Sequence, residues 1–120
     1  GGGGGIFAYR QGRDSHTVPI KDIVYLEASD RKIIIHLCDG SQDDFYGALK
    51  EIYDEQFEGL DFIFIHASYV VNFDYVEAIK YNCVTIKGST ISLPVSRSRK
   101  NEVRSRFSAI AKCRFVRYRF

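Results

Sequence analysis

Four short runs, "IVYLEA", "KIIIHL", "FIFIHA" and "YVVN", place apolar residues at consecutive positions rather than alternate ones. In an extended chain successive side chains point to opposite faces, so such runs need apolar cover on both sides. Val24 and Leu26 fall on one side of the first run, Ile23 and Tyr25 on the other. β-branched and aromatic residues at this density favour strand over helix, and none of the runs has a helical period.

The segments between these runs carry turn chemistry. "SDRK" breaks the first pair, and Asp39-Gly40 supplies the positive φ of a tight hairpin before a strand through Ser41 to Tyr46. "CVTIKGSTISLPV" reads as a hairpin with Lys87-Gly88-Ser89 at its tip, Val84 and Ile86 answering Ile91 and Leu93. Two segments change period. Phe45, Leu49, Ile52 and Tyr53 recur at helical spacing and predict a short helix over residues 46–56. After Pro94, Val103, Phe107 and Ile110 mark one face of a second helix, with Ser96 or Ser98 available to cap it. The sum is a mainly β domain with one short internal helix and a C-terminal helix.

Charge is divided along the chain. Up to Pro94 there are 8 Lys+Arg against 14 Asp+Glu, and from Val95 onward 9 against Glu102 alone. So lopsided a segment favours a polyanionic partner, although a solvated basic tail would look the same. Cys38, Cys83 and Cys113 are too far apart for a disulfide framework or a zinc pattern and read as free thiols of a reducing cytoplasm. No run has the length of a membrane span. Residues 1–14, opening on five glycines, read as a linker or appended leader.

Catalysis finds little support. His16, His36 and His66 share no metal-site spacing, and His36, in mid-strand, suits a hydrogen-bonded packing role. "IKGST" ends a strand where a phosphate-binding lysine would open a helix, and Ser68 has no local signature for a base. Neither an enzyme nor a cofactor or metal is expected.

The order "VPIKDIVYLEAS", "IIIHLCDG", "FYGALKEI", "FIFIHASYVVNFDYVEAI" and "ISLPVSRSRKNEV" resembles the LytTR DNA-binding domain of bacterial transcriptional regulators over residues 15–112, leaving 113–120 as a basic, aromatic tail. The resemblance implies an elongated layered β domain of about ten short, mostly antiparallel strands. It also implies sequence-specific binding of double-stranded DNA through inter-strand loops set into successive major grooves. Repeated sites, a possible homodimer and an N-terminal receiver domain of a two-component response regulator come with it, as does a cytoplasmic location without membrane attachment.

Carried onto this sequence, the resemblance makes Arg31, Lys32 and Arg97 the base-contact candidates, with Arg97 leading because its planar fork can take guanine O6 and N7 together. His66, Ser68, Ser96, Arg99 and Lys100 are the backbone candidates; His66 either donates to a phosphate or braces its loop. Asn72 is expected to serve a backbone turn. Ala67 and Phe64 depart from the polar residues usual in the family, which leaves direct readout by the middle loop open. The competing readings are a single-stranded nucleic-acid binder using exposed aromatics and a protein-interaction or dimerisation module.

Overall fold

The doubly apolar runs form the middle of the molecule. The computed structural model describes residues 5–118, and side chains through Arg114. The strands are β1 (Ile6–Gln11), β2 (Asp14–Pro19), β3 (Ile23–Ser29), β4 (Lys32–Leu37), β5 (Gln42–Tyr46), β6 (Phe62–His66), β7 (Tyr69–Asn72), β8 (Val76–Ile79), β9 (Cys83–Ile86) and β10 (Ser92–Pro94). The helices are α1 (Leu49–Ile52) and α2 (Lys100–Tyr118). All strand pairings are antiparallel. A five-stranded sheet in the order β5-β4-β3-β7-β6 lies between a β1-β2 hairpin and a three-stranded β10-β9-β8 sheet. The molecule measures 47 × 33 × 27 Å.

The central sheet serves two cores. Leu26, Ile33, Ile35, Phe62, Phe64 and Val70 pack on Phe7 and Tyr9 of the hairpin and on Leu49 and Phe57 beside α1. Tyr25, Ile63, Ile65 and Val71 point the other way, against Val84, Ile86 and Leu93 and against Val103 and Ile110 of α2. Phe62 to Ile65 thus alternate between cores residue by residue, as a strand covered on both faces must. A bulge in β3 between Ile23 and Tyr25 breaks the alternation, so both can be buried yet face opposite cores. Asn72 repairs the ladder there: its Nδ2 donates to the Ile23 carbonyl at 2.8 Å, while its Oδ1 accepts the Asp74 N–H at 3.0 Å. The turn-serving asparagine expected from the sequence is the buried polar residue of the core, 2% exposed.

Three sequence expectations need correction. Residues 6–14, placed in a linker, form β1 and start β2; Phe7 and Tyr9 alternate with polar neighbours and bury themselves under the central sheet. Tyr9 OH donates to Asp43 of β5 at 2.5 Å, and Gln11 Nε2 to the same carboxylate at 2.6 Å. The helix expected over 46–56 narrows to α1 followed by a π-turn, Tyr53–Phe57, which swings Phe57 into the core. The tail expected from residue 113 instead continues α2 through Tyr118, and Arg114 bridges Asp61 and Asp74. Gly1–Gly4 and the side chains of 115–120 lie outside the described residues. Among the described residues no helix is long and apolar enough to cross a membrane.

Candidate nucleic-acid interface

Antiparallel pairing carries the connections of interest to one end of the central sheet. β3 ends at Ser29 opposite Lys32, so Asp30 and Arg31 form a two-residue reversal. Both have positive φ, 49° and 68°, as a reversal matched to strand twist requires. Neither is glycine, and a left-handed backbone costs an ordinary residue about 1–2 kcal/mol. The turn therefore presents an exposed arginine where glycine would be easier to fold.

Backbone hydrogen bonds join this turn to the others. Ala28 N–H donates to the Ser68 carbonyl at 2.9 Å, tying the β3–β4 turn to the β6–β7 turn. Ser96 N–H donates to the Ile65 carbonyl at 2.9 Å, fastening the segment after β10 along the edge of β6. Arg31, the His66–Ser68 corner and Arg97 thus occupy one continuous row. Strands lie about 4.8 Å apart, so from β4 to the Ser96 segment the row spans roughly 20 Å.

The candidates differ in how free they are. Arg31 and Arg97 are exposed, and among the described residues neither side chain forms a hydrogen bond or an ion pair. Lys32 is drawn sideways, its ammonium 3.8 Å from Asp44 and 5.1 Å from the centre of the Tyr46 ring. The Arg99 guanidinium carbon sits over Phe64, 4.3 Å from the ring centre, with Glu102 at 3.9 Å. Phe64 itself is buried, so its departure from a polar residue is answered by core packing. Lys100 sits 3.7 Å over the Tyr81 ring.

His66 does the bracing of its two expected roles: its Nδ1 accepts the Ser68 N–H at 3.0 Å. That bond assigns the ring proton to Nε2, leaving a donor on the opposite side of the imidazole. Ser96 differs from expectation. Its Oγ is buried without a hydrogen-bond partner, and it makes no side-chain cap to the 3-10 turn Arg97–Arg99 that leads into α2. Docking of the Ser96 backbone onto β6 leaves the hydroxyl buried.

Several of the remaining charges and histidines hold the fold. Arg106 donates to the Leu60 carbonyl at 2.7 Å, and His36 meets Glu27 at 2.9 Å while stacking on Tyr25, as a packing histidine should. Among the described residues no three His, Cys, Asp or Glu side chains form a cluster able to hold a metal ion, and the three cysteines are free. The residues that sequence reasoning passed over are Lys80, Tyr81 and Asn82 between β8 and β9. Asn82 accepts the Val95 N–H at 3.0 Å, one residue before the Ser96 tether, which puts this turn beside Arg97. The only signal for it in the sequence was an uncapped polar break, "KYN", between two strands.

Comparison with known proteins agrees with the fold. The LytTr DNA-binding domain model matches residues 13–108. Among solved structures, the chain is similar to the LytTr DNA-binding domain of a protein described as a methyl-accepting/DNA response regulator from Bacillus cereus. Identity is 22%, the TM-score 0.68, and the match covers 84% of this chain and 94% of that one. No curated protein sequence matches. With the family model spanning most of the chain and all three tethered connections, the chain belongs to the LytTR DNA-binding domain family.

Proposed function

We propose that this domain binds duplex DNA sequence-specifically as the output domain of a bacterial response regulator, reading bases with Arg97 and Arg31 and holding the backbone with neighbouring cations. The family is a DNA-binding, non-catalytic one, so binding alone is the activity to explain. One observation carries the finer reading: two exposed arginines without acidic partners stand at the two sides of a row of turns tied together by backbone hydrogen bonds. With extended arginine arms at each side, the reach of that roughly 20 Å row approaches the ~34 Å repeat between successive major grooves. A guanidinium unneutralised by carboxylate keeps its fork for guanine O6 and N7. His66 Nε2 and Ser68 Oγ lie between the arginines and suit the phosphates there. An N-terminal receiver domain and dimeric binding to repeated sites are the assembly that family membership supports.

Selection of sites from a random duplex pool, followed by titration of the selected and a scrambled duplex over salt, tests this. Affinity for both falls steeply as salt rises through counterion release. Arg97→Ala narrows the gap between the two duplexes by about 1–3 kcal/mol. An Arg97→Ala protein with undiminished discrimination sinks the base-reading role. Tighter binding to the separated single strand than to the duplex favours stacking on exposed Tyr46 and Tyr81 instead.

A further inference from the structure

The turn between β8 and β9 carries chemistry that the three connections above leave unused. Lys80 N–H closes it on the Cys83 carbonyl at 2.8 Å, so Tyr81 and Asn82 are its tip. Tyr81 is 72% exposed, and no acidic residue stands between Ile79 and Glu102. An isolated exposed tyrosine is ordinary. This one carries the Lys100 ammonium 3.7 Å above its ring, and its turn is fastened through Asn82 and Val95 to the segment that bears Arg97.

An aromatic face holds a cation differently from a carboxylate. It fixes the position of the ammonium through the ring quadrupole and leaves its full charge available to an anion on the other side. The contrast lies in the same helix and the turn that leads into it. Arg114 is bound by Asp61 and Asp74, and Arg99 is shared with Glu102, whereas among the described residues Lys100 has no acidic partner. A positioned but unneutralised ammonium beside a base-reading arginine suits a backbone phosphate, which fixes register without reading sequence.

We infer that the β8–β9 turn is a fourth duplex contact, in which Tyr81 holds Lys100 against a phosphate of the DNA backbone. The inference rests on the proposed duplex binding and adds an element to it.

The test uses the full chain, the selected and the scrambled duplex, and anisotropy titrations over salt. Tyr81→Ala weakens both duplexes by the same factor, roughly 3- to 10-fold. Its salt slope falls by about one, as does that of Lys100→Ala. Tyr81→Phe keeps the ring and stays near wild type, and Tyr81→Ala/Lys100→Ala is no weaker than Lys100→Ala alone. Because Tyr81 is exposed, unchanged melting temperatures separate these effects from unfolding. Tyr81→Ala affinities within about twofold of wild type overturn the inference, and so does a loss confined to the selected duplex or additivity in the double variant. Wild-type protein that binds no duplex defeats the proposed function itself, a distinct result.

Discussion

The two ends of the central sheet are built to different standards. At one end several backbone groups have side-chain partners. Gly40 supplies the positive φ of the β4–β5 turn, and Asp39 Oδ1 accepts both the N–H and the hydroxyl of Ser41. Asn72 caps Ile23, Tyr75 OH donates to the Lys21 carbonyl at 2.7 Å, and Arg114 pins α2 to Asp61 and Asp74. At the other end Asp30 and Arg31 hold left-handed backbone without glycine, and among the described residues Ser96 Oγ is buried unpartnered and the exposed side chains of Arg31 and Arg97 are unpaired. Local energy is minimised where the sheet is only held, and left unrelaxed where side chains must be displayed.

Substitutions at the two ends should therefore differ in sign. The largest effect is expected at the satisfied end. Asn72→Ala removes one buried and one part-buried hydrogen bond and strands the Ile23 carbonyl, costing about 2–3 kcal/mol in denaturant unfolding, with discrimination between duplexes kept by the folded fraction. At the display end, Arg31→Gly relieves the left-handed turn and raises stability by about 0.5–1 kcal/mol, glycine's own entropy offsetting part of the gain. It should at the same time reduce affinity for the selected duplex; stabilisation with unchanged binding would remove Arg31 from the site. Ser96→Ala deletes an unpartnered hydroxyl and should be neutral or stabilising by up to about 1 kcal/mol. Full DNA affinity in that variant agrees with the buried hydroxyl, whereas a clear loss returns Ser96 to the phosphate contacts.

The smallest effect concerns pH and the attachment of the hairpin. Hydrogen bonds from Tyr9 and then Gln11 hold the Asp43 carboxyl below the usual carboxylate range, against the opposing pull of burial. A depressed folded pKa gives stability that is complete above the unfolded value, about 4, and is lost as pH falls through the folded one. Asp43→Asn should flatten the acid limb of the stability curve between those values, lowering stability at neutral pH and converging with the wild type in acid. The same carboxylate, with burial as the larger cause, pushes Tyr9 up to about 12.

The layered β fold was legible because its strongest signal, apolar residues on both strand faces, is enforced by burial, and Asp39-Gly40 marks its turn through backbone geometry that few residues tolerate. The hairpin at the start was obscured by the glycines before it and by "RQGRDSHT" after it, since its core contacts rest on the scattered residues Phe7, Tyr9 and Val18. Phe45 and Leu49 suggested one longer helix, but Phe45 is the buried residue of β5 and the π-turn changes the phase before Phe57. At the site, residue type revealed which cations suit DNA. It could not reveal which are already engaged, because Phe64 beneath Arg99 and Tyr81 beneath Lys100 are remote in sequence.

The middle sheet's shared role has one more result. Since Phe62 to Ile65 feed opposite cores in turn, sliding β6 by a single position would exchange the contents of both, and neither cavity would accept the other's side chains. No strand under the display turns can shift quietly, so amide hydrogens of β3 and β7 should exchange only when the whole domain opens. Under the proposed function, adaptation to a different target sequence is thereby confined to the tips: new letters can be learned by changing turn residues, while the spacing between them is inherited.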